Sequence, residues 1–271
     1  MSTDWIAALP MYDFPDLAGA HDAWWLAVAT RLGAAGVADP PQHLNRELGH
    51  FDVWRHPRLL LGQACEYPLA TSFHPFVRPL ARPHYAAPGC EAGRYRSAIV
   101  VRREDPAVAL AELRGSRCVV NEPTSNSGMN LLRAMIAPIA QRRHFFRSVS
   151  TSGSHWNSAR MVANGSADVA AIDCVSYAHL ERCDAALVAR LRILDWTPSS
   201  PSLPLISARS TDEPTREALC SALAGVIADP RLESICASLL LVGIDFEVDE
   251  SYREVLAYER RAVELGYSIL A

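Results

Sequence analysis

The sequence predicts an α/β protein built as two lobes. Three observations point there. Short apolar, strand-like runs alternate with helical periodicities along nearly all of the 271 residues, the pattern of sheets covered by helices. A stretch holding three prolines and three serines, 197–204, interrupts that alternation between two strands and reads as a linker or hinge. Together with a Val-rich strand at 95–101 it gives two crossing points, with the start and end of the chain in one lobe and the middle in the other. Hydrophobic residues make up 49% and charged residues 21% of the chain, so it is globular and long enough for a sizeable core.

Taken in order, 5–11 is a short buried strand. Leu17, His21, Trp24, Trp25, Val28 and Leu32 then recur at three and four, the period of one helix face, and Gly36 closes that helix. Residues 40–58 read as loop with one short helix, 59–63 as a second strand, and 66–72 as a helix start that includes Glu66. Residues 73–93, rich in Pro, His and Arg, read as an irregular strand and a crossing loop. The strand at 95–101 follows, then a short helix over 107–113 stopped by Gly115. Two strand–loop–helix units come next, with helices over 129–140 and 156–164, and the run ends on the apolar strand 167–173. A short helix near 177–182, strands at 191–196 and 205–208, and helices at 211–227, 231–241 and 252–265 complete the chain, with Gly243 ending the second of these. The expected sheets are mostly parallel.

The chemistry concentrates between Cys118 and Tyr177. Each of two loops, Thr124-Ser125-Asn126-Ser127-Gly128 and Ser150-Thr151-Ser152-Gly153-Ser154-His155, follows a short apolar strand and opens a helix. A helix N-terminus offers unpaired N–H groups and partial positive charge, and Ser and Thr add donors without adding charge. Two such ends side by side would suit a tetrahedral oxyanion such as phosphate. The plainer reading is that Ser, Thr and Asn before a helix are ordinary N-caps. His155, at the start of the second helix, adds one imidazole donor or is a structural histidine.

Composition excludes several classes. A formal net charge of -4 gives no electrostatic case for nucleic acid or an anionic membrane. All 26 basic residues are Arg, so neither a lysine Schiff base nor a P-loop lysine exists. The nine histidines form no H-x-x-x-H or H-E-x-x-H pattern, and no metal or cofactor is expected. Seven scattered cysteines with no C-x-x-C favour a reducing compartment. The first residues show no basic start or apolar run, so the expectation is a cytoplasmic protein, periplasmic only if a signal was trimmed. No run of 18 apolar residues predicts a membrane span.

Asn121-Glu122-Pro123-x-Ser125-x-Ser127-Gly128, Ser152-Gly153-Ser154-His155 and Ala167-Asp168-Val169-Ala170-Ala171-Ile172-Asp173 resemble the phosphonate-, phosphate- and phosphite-binding proteins of ABC transporters, the PhnD-like family. Tyr95-Arg96-Ser97 and Ser200-Pro201-x-Leu203-Pro204 resemble it more weakly. The resemblance implies a type II periplasmic-binding-protein fold: two α/β lobes with a ligand cleft between them, lobe one being 1–97 plus 201–271 and lobe two 98–200. It implies that Ser125, Asn126 and Ser127 line the oxyanion site with Ser154 and His155 opposite, that Tyr95 walls it, that Tyr12 contacts the ligand from lobe one, and that Asp173 turns its carboxylate to the cleft. Where aminophosphonate-binding members carry acidic residues for the ligand amine, this chain has Val175 and Leu203, so a bare oxyanion or another small acid is expected rather than an aminoalkyl phosphonate. An ABC permease is the implied partner if the protein is exported. Two other readings stand beside a binding protein. One is a cytoplasmic enzyme on the same fold, with His155 paired to Ser125, Ser127 or Asp173, acting on a small acidic or phosphorylated metabolite. The other is a ligand-sensing module without its own DNA-binding segment.

Overall fold

The structure is a computed structural model that describes residues 4–141, 143–250 and 252–271. It divides into two compact units, Met1–Ala86 with Ser202–Ser251, and Ala87–Pro201 with Tyr252–Ala271. In chain order the strands are β1 (Ile6–Ala8), β2 (Leu59–Gln63), β3 (Val77–Tyr85), β4 (Arg94–Tyr95), β5 (Ser97–Arg102) and β6 (Arg117–Val120). After them come β7 (Ser148–Thr151), β8 (Val169–Asp173), β9 (Leu191–Trp196), β10 (Ser200–Pro201), β11 (Leu205–Ala208) and β12 (Leu241–Asp245).

The first unit is a five-stranded sheet in the order β1-β2-β11-β3-β12. Leu59, Leu60 and Leu61 of β2 are all fully buried, so this strand is apolar on both faces rather than alternating. The helix Ala18–Ala34 turns Trp24, Trp25, Val28 and Leu32 inward, where they share a core with Leu219, Leu223 and Val226 of the helix Glu213–Ile227. Each such side chain contributes about 1.5–3 kcal/mol by leaving water. Asp212 caps the second of these helices, accepting from Thr215 N at 2.9 Å.

The second unit is a five-stranded sheet in the order β7-β6-β8-β5-β9, with the two-stranded ribbon β10-β4 beside it. Ala98, Val100, Val119, Ala170 and Ile172 of the sheet pack with Ala159, Val162 and Leu180 of the helices His155–Ala163 and Cys174–Cys183. The last helix, Arg253–Glu264, also belongs here. Tyr258 Oη donates to Ser199 O at 2.7 Å, and Arg133 donates to Ser268 O at 2.8 Å. The sequence reading assigns this helix, and residues 87–97, to the first lobe. Its polar pattern carries no mark of which core it joins.

Three further expectations change. The sheets are mixed rather than mostly parallel. β1–β2, β6–β7 and β6–β8 run parallel, but β11 runs against β2 and β3, and β5 runs against β8 and β9. In the first sheet β11, which follows the return crossing, and β12 run opposite to β1, β2 and β3; in the second β5 runs opposite to the other four strands. The strand expected within 73–93 is present, but as nine continuous residues rather than an irregular piece, despite Pro79 and Pro83. Proline brings no N–H to the ladder, and side chains engage the carbonyls instead: Arg216 donates to Pro79 O at 3.0 Å and Ser202 to Pro83 O at 2.8 Å. Finally, the helix expected over 231–241 is a short turn followed by Glu233–Ser238, and Leu241 onward is β12, paired antiparallel with β3. Leu240, at φ 58°, breaks the helix, and Gly243 lies in the strand opposite His84. Among the described residues no helix is long and apolar enough to cross a membrane.

Candidate functional site

The two hydroxyl-rich loops lie side by side because the strands before them do. β6 and β7 are parallel neighbours, ending with Val120 opposite Thr151. The loops stay joined beyond the strands: Ser152 N donates to Val120 O and Gly153 N to Asn121 O, each at 2.9 Å. From β6 the chain turns into a helical run, Asn126–Asn130 continued by Leu131–Ala140. From β7 it turns into His155–Ala163.

Both helix starts are capped by serine. Ser125 Oγ accepts from Gly128 N at 3.0 Å, and Ser154 Oγ accepts from Asn157 N at 3.1 Å. Capping uses the oxygen as acceptor and leaves each hydroxyl proton to donate. The ordinary-cap reading is therefore true of both residues, and it is compatible with a second role. Gly128 lets the first helix start approach its own strand end: a Cβ there would fall 1.9 Å from Asn121 Oδ1.

Ser127 joins the two helix starts. Its Oγ lies 3.2 Å from Ser125 Oγ and 2.8 Å from His155 Nε2. Ser125 and Ser127 are buried, and Ser154 and His155 are half-buried. Desolvation lowers the His155 pKa to about 4, with the Ala171 backbone acting in the opposite sense, so the ring is neutral near pH 7. These contacts are made by neutral groups. A neutral imidazole can either accept the Ser127 proton at Nε2 or donate to Ser127.

The other expected site residues do different work. Asn126 is fully buried, and its amide is taken up inside the unit. Nδ2 donates to Tyr95 Oη at 3.0 Å and to Ser200 Oγ at 2.9 Å, and Oδ1 accepts from Asn130 at 2.9 Å. Tyr95, 1% exposed, anchors the β4–β10 ribbon to the helix start through that bond. Asp173 caps the helix Cys174–Cys183, accepting from Val175 N at 2.8 Å and Ser176 N at 3.0 Å. Its carboxylate is thereby held by the local chain. Tyr12 lies in the first unit, edge-on to Tyr85 with ring centroids 5.3 Å apart. It borders a recess of about 440 Å³, mouth included, with His21, Trp24, Gln63 and Tyr85. Glu66, expected at a helix start, is there and buried, paired with Arg82 at 2.9 Å. Ser200 and Asn130 escape sequence reasoning as supports of the site. The only signal for Ser200 is the Ser-Pro-x-Leu-Pro stretch that contains it. Val175 and Leu203 are buried apolar residues. Among the described residues no group of three or more His, Cys, Asp or Glu side chains is placed to hold a metal ion.

Two sheets of this topology, each covered by helices, define the periplasmic-binding-protein fold, and solved structures agree. A binding protein component of an ABC phosphonate transporter from Pseudomonas aeruginosa matches with a TM-score of 0.74 at 16% identity, over 96% of this chain and 88% of that one. PhnD1 from Prochlorococcus marinus, in complex with methylphosphonate, matches with a TM-score of 0.74 at 13% identity, over 97% of this chain and 100% of that one. A Xanthomonas citri protein bound to ATP matches with a TM-score of 0.70 at 15% identity, over 96% and 97%. At these identities the likeness shows the fold alone. No curated protein matches the chain in sequence.

The family itself is shown by sequence. The description "ABC transporter, phosphonate, periplasmic substrate-binding protein" matches residues 61–251, more than half of the chain, and the chain belongs to that family. The family is described as periplasmic, which is the second of the two placements expected from the sequence, the one that requires a trimmed signal.

Proposed function

We propose that the chain binds a small tetrahedral oxyanion carrying no ammonium group, such as an alkylphosphonate, phosphite or phosphate, at the paired helix starts of the second unit. The observation that carries the reading is the Ser125–Ser127–His155 chain of contacts joining two serine-capped helix starts. The ligand displaces no charge there. It meets helix N-termini, which favour anions, and hydroxyl protons. His155 in the tautomer protonated at Nε2 donates to Ser127 Oγ, which frees the Ser127 proton for the ligand. Ser125 and Ser154 donate alongside it. Asn126, Tyr95 and Asp173 hold the frame.

Buried Val175 and Leu203 offer no carboxylate to an ammonium group, which supports a ligand without one. Membership in the family supports delivery of the ligand to an ABC permease in the periplasm. An enzyme is less well supported by the same geometry. Ser127 and His155 pair like a nucleophile and base, but Asp173, the carboxylate expected to serve the imidazole, gives Oδ1 to its own helix cap.

Isothermal titration with methylphosphonate, phosphite, phosphate, sulfate and 2-aminoethylphosphonate tests the reading. Heat is expected with at least one of the first three, and weaker binding of the aminophosphonate. Ser127→Ala should weaken the best ligand about 10- to 100-fold, the loss of one hydrogen bond to a charged group. Silence with all five would overturn the proposal.

A further inference from the structure

Cys90 and Cys174 are 84 residues apart in the sequence, and their Sγ atoms lie 3.3 Å apart. Both belong to the second unit. Cys174 is the first residue of its helix, fixed by Asp173 at the cap and by its own N–H donating to Arg96 O at 3.0 Å. Cys90 stands in the short segment by which the chain enters the unit, its N–H donating to Ala87 O at 2.9 Å. Gly89 makes the approach possible. Its φ is +95°, and a Cβ there would lie 2.7 Å from the Trp196 ring and 3.2 Å from Cys174 Cβ. The backbone is thus built to bring this one pair of thiols together. Closing the gap to a bonded sulfur pair requires about 1.3 Å of movement.

We propose that Cys90 and Cys174 form a disulfide under oxidising conditions, stapling the entry segment of the second unit to the β8–helix junction beside Asp173. The oxidant is an external disulfide, a small molecule or a protein. The Cys90 thiolate attacks one of its sulfurs, forming a mixed disulfide and releasing one thiol. Cys174, deprotonated, then attacks Cys90 Sγ and releases the second thiol. The two cysteines give up two electrons, the external disulfide becomes two thiols, and the two cysteine protons end on those thiols.

The order follows from access and charge. Cys90 is half-buried, whereas Cys174 is 1% exposed. The Cys174 thiol is held well above its usual pKa by the contact with Cys90, by burial and by the Asp173 carboxylate, so it reacts second. Cys118, fully buried with its thiol pushed up by desolvation, is protected from the same chemistry. A cross-link that closes so long a loop raises the melting temperature by constraining the unfolded chain.

The test uses the full chain incubated with oxidised and reduced glutathione, quenched in acid, alkylated and mapped by mass spectrometry without reduction. The expected product has lost two hydrogens and yields one cross-linked peptide joining Cys90 to Cys174. Its melting temperature should rise by about 5 °C or more over the reduced form, and Cys90→Ser should abolish both changes. Alkylation of both thiols after oxidation would overturn the proposal. So would a cross-link between other cysteines, or a melting shift that persists in Cys90→Ser. The mapping needs only the natural chain, so a variant that fails to fold leaves the test intact. Neither readout depends on whether an oxyanion binds.

Discussion

Asn126 and Ser127 are neighbours in the chain with opposite duties. The Asn126 amide commits both hydrogens and its oxygen to Tyr95, Ser200 and Asn130, three residues brought from three parts of the second unit. The Ser127 hydroxyl lies 2.8 Å from His155 Nε2 and 3.2 Å from Ser125 Oγ, and rotation about one bond redirects its single proton between them. The first arrangement is a clamp, and the second leaves one hydroxyl proton that the proposed oxyanion could take up. A helix start that binds an anion needs both: rigid backbone N–H groups, and hydroxyl protons free to turn to the ligand.

The largest expected effect breaks the clamp. Asn126→Ala leaves the Tyr95 and Ser200 hydroxyls and the Asn130 amide buried with a partner removed, a cost of order 3 kcal/mol. Urea unfolding should show the midpoint fall, where Ser127→Ala moves it little and acts on affinity. If Asn126→Ala keeps its stability and instead loses ligand, the assignment of the two residues must be exchanged.

The same pair shows what a sequence discloses. Hydroxyl excess before a helix is local, so Ser125, Ser127 and Ser154 are legible as caps and donors from their own neighbours. The duty of Asn126 is settled by Tyr95 and Ser200, 31 and 74 residues away, and no local pattern carries that. Asp173 is a related case: the acidic residue after an apolar strand was readable, but its carboxylate is turned back to cap the next helix. In the fold, strand and helix alternation was plain except where the breaks are unmarked. The run Leu239-Leu240-Leu241-Val242 continues the apolar content of the preceding helix, and a leucine in a left-handed conformation ends it. Pro79 and Pro83 make β3 read as an irregular strand rather than nine regular residues, because the groups that engage their carbonyls, on Arg216 and Ser202, come from much later in the chain.

A smaller effect sharpens the comparison at the turn the two residues share. Gly128→Ala puts a Cβ where Asn121 Oδ1 now lies, 1.9 Å from the ideal position. The Asn121 side chain must swing away, and part of the cost is offset because alanine favours a helix more than glycine does. We expect a net loss of about 1–2 kcal/mol. Adding Asn121→Ala removes the obstacle, so the double variant should recover most of the loss in the same unfolding measurement. Failure to recover would mean that the backbone of the turn, 3.4 Å away at Asn121 N, rather than the side chain, sets the limit.

The smallest effect concerns His155, the partner through which Ser127 is poised. Its pKa is depressed to about 4 in the folded chain from an ordinary 6.5. Between those values the unfolded chain binds a proton that the folded one refuses, so stability rises with pH from about 4 to 6.5 and is level above. Because the residue is only half-buried, water moderates the penalty, and we expect it to amount to about 1–2 kcal/mol across the window. Asp168, whose bonds to Arg117 lower its pKa to about 2 from 3.8, adds a separate loss below that window, as its carboxylate is protonated. His155→Gln keeps a polar partner for Ser127 but does not titrate. Its unfolding free energy should lose part of the slope between pH 4 and 6.5, the rest staying with His21, whose pKa burial also lowers, and should keep the slope below pH 4. Ligand affinity of the natural protein should hold or rise toward pH 4, as the ring becomes a cation that donates from Nε2 to Ser127 and adds positive charge beside the anion. A slope left unchanged by the substitution would assign the titration in this window to other groups, buried His21 first among them.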